Sequence, residues 1–359
     1  MKIQIEQKDL SKLVSKVARA AATTDTVPVL QGMYLEAVNG KLIAQASDME
    51  IGVKLTIIEV QVHEEGKILV PARNFESFVK TLPSEVITLE TEDNKLMVKY
   101  GRSKANLNLF VDYDYPNFPE CNEEILTISG NELRKGLLRV LPAVAKNHFR
   151  QVFNGVLLDI TEDKTFLVGS DTHRLNIYEI ATGSPQGQKA IIPAKTADEI
   201  MRLVEDEEVV IYTNGNNLLI KTGEKEITSR LIDGTYPNYL QVVPTSTVTE
   251  MVIKTADLKQ ALQRLLSLPQ TKAKVPITRI LLNGSVEISS SSEEGEITEY
   301  LDVQKTGEDM EINFNSNYIL DAVKLMPEET KISFSGTNSP AVFKGEDMFQ
   351  SVLVPVRAV

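Results

Sequence analysis

Ile3-Gln4-Ile5, running into Asp9-Leu10-Ser11-Lys12-Leu13, opens a pattern that the chain writes three times. Leu126-Thr127-Ile128 runs into Glu132-Leu133-Arg134-Lys135-Gly136, and Met251-Val252-Ile253 runs into Asp257-Leu258-Lys259-Gln260-Ala261. Leu10, Leu133 and Leu258 hold matching places at successive offsets of 123 and 125. Other landmarks keep nearly the same step. Gly32 matches Gly155, Asp48 matches Asp171, and Val70-Pro71-Ala72-Arg73 matches Ile192-Pro193-Ala194-Lys195. Tyr115-Pro116-Asn117-Phe118 matches Tyr236-Pro237-Asn238-Tyr239. One such match is weak, whereas an ordered series at nearly constant offset is a tandem repeat. A fold repeated three times points to a geometric task rather than to one catalytic cleft.

The 359 residues therefore divide into three domains, expected at 1–121, 122–245 and 246–359. At about 120 residues each is large enough for its own core. Each repeat reads as two halves, and each half as a strand, a helix and three strands. In the first repeat, helices are predicted at 8–22 and 72–82, with turns at Asn39-Gly40, Glu65-Gly66, Asp93-Asn94 and Gly101. Leu10, Leu13, Val14, Val17 and Ala21 fall on one helical face. Leu133, Leu137, Val140, Leu141 and Val144 do the same, although Pro142 must bend or end that helix, and so do Leu258, Ala261, Leu262 and Leu265. Shorter apolar faces recur at Phe75, Phe78, Val79 and Leu82, at Ile200, Leu203 and Val204, and at Tyr318, Ile319, Ala322 and Met326. The fold class is α+β, with one-faced helices laid on a sheet.

The net charge is −12, but it is unevenly spread. The six helical windows (8–22, 72–82, 130–147, 195–205, 255–268 and 316–326) carry a net +7, and the rest of the chain −19. Lys12, Lys16 and Arg19 form one stripe opposite the leucines of the first helix, and Lys135 and Arg139 repeat it. Lys146 and Arg150 follow just beyond, Lys259 and Arg264 continue the series, and Lys272 and Lys274 come next. Arg73, Lys80, Lys195 and Arg202 supply cations on the second-half helices. A lone stripe of this kind only solvates an exposed face. Its recurrence in three repeats fits phosphate contact, which is electrostatic and blind to sequence. The 195–205 window is an exception, being net −1.

Catalytic and cofactor signatures are absent from the sequence. It has no P-loop, no G-x-G-x-x-G and no nucleophile elbow. His63, His148 and His173 lack metal-ligand companions at useful spacing, and Cys121 is alone. Ser170, Asp171 and His173 supply triad residue types, but neighbours along a strand do not make triad geometry. Asp48, beside Glu50, reads as a structural carboxylate bonding turn amides. Apolar runs fall well short of the roughly 20 residues of a membrane span, and the alternating N-terminus reads as a strand rather than a signal peptide. A single cysteine fits a reducing cytoplasm.

The residues also carry a family resemblance. Thr26-Val27-Pro28-Val29-Leu30 with Gly32, then Ser47-Asp48-Met49-Glu50, resembles the first repeat of the bacterial β sliding clamps, the processivity subunits of DNA polymerase III. Val70-Pro71-Ala72-Arg73, Ser170-Asp171-Thr172-His173-Arg174-Leu175, Asp233-Gly234-Thr235-Tyr236-Pro237-Asn238-Tyr239 and Val354-Pro355-Val356-Arg357 match in order, over essentially the whole chain. The resemblance implies a non-catalytic, cofactor-free, cytoplasmic protein. Two such chains would join head to tail as a ring around duplex DNA, helices inside and sheets outside. Implied partners are the replicative polymerase, an ATP-dependent clamp loader, and other polymerases and repair proteins that carry a clamp-binding motif. It also implies a peptide groove between the second and third repeats. On the second-repeat side the matching residues are Phe153, Ser170, Thr172, His173, Arg174, Leu175, Pro237, Gln241 and Val242. On the third-repeat side they are Asn315, Tyr318, Val352, Leu353, Val354, Pro355, Val356 and Arg357. Ring closure is expected near Ala105–Leu109 and Ser267-Leu268. Three positions depart from the family pattern: Thr172, where many members carry Gly or Ser; Thr24, where some carry an Arg; and the extension Ala358-Val359. The alternative is a tandem-domain peptide-binding scaffold that does not encircle DNA.

Overall fold

A computed structural model describes residues 1–24, 27–111, 114–268, 275–345 and 348–357. Thr26, Lys272, Lys274 and the Ala358-Val359 extension lie outside the described residues. In the first repeat β1 (Lys2–Glu6) enters α1 (Gln7–Val17), and β2 (Gly32–Val38), β3 (Lys41–Ser47), β4 (Ile51–Ile57) and β5 (Gln61–Glu64) follow. Then β6 (Gly66–Pro71) enters α2 (Ala72–Thr81), followed by β7 (Val86–Glu92), β8 (Lys95–Tyr100) and β9 (Ser103–Asn108). The second repeat comprises β10 (Glu123–Ser129), α3 (Gly130–Val140), β11 (Gly155–Ile160), β12 (Thr165–Ser170) and β13 (Arg174–Ile180), then β14 (Gln188–Pro193), α4 (Ala194–Leu203), β15 (Glu208–Thr213), β16 (Asn217–Thr222) and β17 (Lys225–Arg230). The third comprises β18 (Thr249–Lys254), α5 (Thr255–Leu265), β19 (Ile277–Asn283), β20 (Ser285–Ser292), β21 (Gly295–Leu301) and β22 (Gln304–Gly307), then β23 (Met310–Asn315), α6 (Ser316–Val323), β24 (Glu329–Phe334), β25 (Ala341–Lys344) and β26 (Phe349–Leu353).

The helices form where apolar spacing places them, but all six are shorter than their windows, α1 and α3 by the most. Helix α1 gives way at Ala18 to a 3₁₀ turn through Ala20. Helix α3 stops at Val140, and Pro142 lies in the following 3₁₀ turn because it has no N–H to continue the ladder. The predicted faces are the buried ones: Leu10, Leu13, Val14 and Val17 on α1, and Leu258, Ala261, Leu262 and Leu265 on α5. Helix α3 packs closely enough to demand glycine. A Cβ on Gly169 of β12 would lie 2.4 Å from the Val140 carbonyl oxygen, which backbone cannot yield. Among the described residues no helix is long and apolar enough to cross a membrane.

Strand pairing departs from the simple half-repeat. The strand leading into each helix does not join the three strands that follow it. Instead β1 pairs with β7 and β6 with β2, so the halves exchange their first strands. The same exchange puts β10 beside β15, β14 beside β11, β18 beside β24 and β23 beside β19. Sequence periodicity specifies which face of a strand is buried but not which neighbour it takes, so the exchange was not readable. Strands β5 and β22 are additions at sheet edges, on β1 and β18.

The chain divides into two compact units, and the division cuts through the middle repeat. The first unit is residues 1–134 with 199–231, and the second is 135–198 with 232–359. In the first, β17 pairs with β4 from Lys225↔Leu55 to Ser229↔Ile51, making an eight-stranded sheet beside a five-stranded one. In the second, β13 pairs with β26 from Arg174↔Leu353 to Tyr178↔Phe349, making a nine-stranded sheet beside a four-stranded one. Both joins unite the third strand after the helix of one half-repeat with the third strand after the helix of another. By the same rule β9 and β21 remain at sheet ends, without an outer partner among the described residues.

Candidate groove and cationic helices

One tight turn recurs at the core of the sequence motifs. Ser170 Oγ donates to the Arg174 carbonyl (2.7 Å) and accepts from the Thr172 N–H (3.1 Å). Asp171 Oδ1 accepts from the N–H groups of His173 and Arg174, both at 3.0 Å. Ser47 and Asp48 make the same four bonds to Met49, Glu50 and Ile51. Thr213 and Asn214 make them again below Gly215. Asp48 and Asp171 are therefore turn-forming carboxylates, and the triad residue types at Ser170, Asp171 and His173 are engaged in backbone bonds. The middle residue of the turn has positive φ: 71° at Met49, 75° at Thr172 and 88° at Gly215. A β-branched side chain is strained there. Thr172→Gly is expected to raise the unfolding free energy by about 1 kcal/mol, as strain relief exceeds the entropy that glycine adds to the unfolded chain. The denaturant midpoint checks this, and a lowered midpoint would refute it.

This turn borders a groove of about 230 Å³ within the second unit. Nine predicted residues line it: Phe153, Ser170, Thr172, Arg174, Leu175, Pro237, Val242, Val352 and Val354. Beneath lies a packed cluster including Phe153, Leu157, Leu175, Ile177, Tyr239 and Val352, so the floor is stiff. Arg174 is fixed from three sides. Its Nε donates to Asp171 Oδ2 and its terminal nitrogen to Asp321 Oδ2, each at 2.9 Å, and its guanidinium lies 4.3 Å over the Tyr318 ring. Burial foremost, with the Asp171 charge, pushes the Tyr318 phenol up.

The other predicted groove residues stand around it rather than in its wall. His173 is exposed, and its carbonyl accepts the Val354 N–H (3.0 Å). Asn315 caps α6 by accepting the Asn317 N–H (3.0 Å). Leu353 is buried within β26 opposite Arg174, Pro355 is half-buried, and the Val356 N–H donates to the Asn313 carbonyl (2.8 Å). Gln241 and Arg357 are exposed.

Sequence reasoning missed four lining residues. Tyr236, Asn238 and Tyr239 belong to a motif that served as a repeat landmark and as part of the resemblance, and of it only Pro237 was assigned to the groove. In the first repeat its counterpart Tyr115 accepts the Ser47 N–H at its hydroxyl (2.9 Å), and burial pushes that phenol up to about 12. In the second repeat the buried Tyr236 hydroxyl has no partner among the described residues. Arg150 was assigned to the cationic series, yet it lines the groove with its guanidinium 5.3 Å from the Phe153 ring.

Several cations of the helical series already have partners within the chain. Arg19 Nε donates to both oxygens of Glu199, at 2.9 and 2.8 Å. Lys16 lies 3.2 Å from Glu205, and that hydrogen bond is the foremost reason Glu205 is held below the usual carboxylate range. Lys80 pairs with Glu76 one turn back (2.6 Å). Arg264 grips Glu299 of β21 with two bonds, 2.6 and 2.8 Å. Arg139 lies 5.4 Å over Tyr178 and 5.5 Å over Phe349. Lys12, Arg73, Lys135, Lys146, Lys195, Arg202 and Lys259 are exposed on or just beyond their helices.

Comparisons with known proteins agree along the whole length. The family models for the DNA polymerase III β subunit match in order: the N-terminal domain at 1–119, the central domain at 127–238 and the C-terminal domain at 240–357. The beta sliding clamp of Pseudomonas aeruginosa is 30% identical over 367 residues, covering 99% of this chain and 100% of that one. That of Vibrio cholerae is 29% identical over 365 residues, with the same coverage. The crystal structure of the Bacillus subtilis DNA polymerase sliding clamp superposes with a TM-score of 0.93 at 26% identity, covering all of both chains. With three clamp repeats in order and full-length relatives of one kind, the chain belongs to the β sliding clamp family of DNA replication proteins.

Proposed function

We propose that two copies of this chain close head to tail into a ring around duplex DNA, and that the groove tethers the replicative polymerase and repair proteins by short peptide motifs. The pairing rule carries the reading. The third strands after the helices join at β4–β17 and at β13–β26, which leaves β9 of one copy and β21 of another to complete the series. The exposed edge charges are complementary, with Arg102 and Lys104 around β9 and Glu294 and Glu296 around β21. The surplus of cations on the helices suits phosphates inside such a ring, and the acidic remainder disfavours DNA elsewhere. The three domains keep the boundaries 1–121, 122–245 and 246–359. The groove residues serve as peptide contacts, and the exposed helical cations as sequence-independent DNA contacts. The protein is a non-catalytic cytoplasmic tether, placed on DNA by an ATP-dependent loader.

Topological binding separates from ordinary affinity on DNA of different shape. After loading, the protein is expected to remain on circular duplex in high salt and to run off linear duplex through its ends. A peptide-binding scaffold that does not encircle DNA would be lost equally from both, and that result would sink the ring.

A further inference from the structure

The three seams of such a ring are not equivalent. Helices α2 and α4 are both ten residues long and start 122 positions apart, and α6 starts 122 further on. Their sixth residues are Ser77, Glu199 and Asp321. Both carboxylates bind an arginine of the adjoining repeat. Glu199, with a side chain only 7% exposed, takes Arg19 across the β4–β17 join. Asp321 takes Arg174 across the β13–β26 join. Helix α5 repeats α1 at an offset of 248 with the same eleven-residue length, which places Ser267 where Arg19 stands. Both Ser77 and Ser267 are exposed in the single chain.

We infer that the sixth position of the second-half helix is a seam lock, closed by an ion pair at the two seams within the chain and left open at the seam made with a second copy. This rests on the ring reading above. At that seam Ser77 of one copy faces Ser267 of the other. Strand pairing and edge charges hold the contact there without a carboxylate–arginine pair at this position.

A double-mutant cycle in the full-length protein tests the assignment. Donor- and acceptor-labelled populations of wild type, Ser77→Glu, Ser267→Arg and Ser77→Glu/Ser267→Arg are mixed, and subunit exchange is followed by energy transfer. Melting temperatures verify that each variant is folded. A lone glutamate buried at the seam is expected to speed exchange roughly tenfold, and adding Ser267→Arg to slow it roughly tenfold again. Exchange in the double variant as fast as in Ser77→Glu overturns the lock. Wild-type chains that show no energy transfer at any concentration overturn the ring itself, a separate and recognisable failure.

Discussion

Arg19→Ala is expected to lower the unfolding free energy by about 3 kcal/mol, far more than loss of a surface ion pair. The reason is the asymmetry of the pair. The Glu199 side chain is 7% exposed and that of Arg19 44%. Removing the arginine strands a buried carboxylate, whose desolvation is then uncompensated. Removing the carboxylate leaves an arginine that already reaches water. Glu199→Gln is therefore expected to cost about 1 kcal/mol or less. Equilibrium denaturation of both variants measures the difference. Equal costs would mean that the pair does not hold the join between the first and second repeats. The same geometry qualifies Arg19 as a DNA contact. A guanidinium bonded to both oxygens of Glu199 has less to offer a phosphate than exposed Lys12 on α1.

That pair marks where the sequence stopped being readable. The stripe Lys12, Lys16, Arg19 was visible because helical spacing is local. Its partners Glu199 and Glu205 lie 180 and 189 positions from Arg19 and Lys16, and no local signal links them. The buried faces of α1 and α5 were legible for the same local reason, as was the stop at Pro142. The structural role of Asp48 and Asp171 was legible because the repeat set two carboxylates in one pattern, which a turn explains better than two active sites. Strand exchange between half-repeats was not legible, since period-two alternation sorts faces and leaves neighbours open. Arg150 was misplaced because sequence proximity to Lys146 put it in the cationic series. The Phe153 ring, three residues on, carries it to the groove.

The groove's own test is Val242→Asp, expected to weaken binding of a peptide with Leu and Phe anchors by about thirtyfold, or about 2 kcal/mol. Val242 lines the groove yet is 45% exposed, so the free chain tolerates a carboxylate there at little folding cost. A docked peptide does not, because its apolar anchors would strip water from that charge against Pro237, Leu175 and Val354. Arg174 cannot rescue it, since Asp171 and Asp321 already neutralise that cation. Gln241 is the internal control: its exposed side chain stands outside the wall, and Gln241→Ala is expected to change affinity less than threefold, within about 0.6 kcal/mol. Fluorescence anisotropy of a labelled peptide, beside melting curves of both variants, reads the outcome. Wild-type affinity in a folded Val242→Asp protein would place the docking surface elsewhere. Loss in both variants alike would show that the 3₁₀ turn from Tyr239 to Val242, rather than the apolar wall, sets affinity.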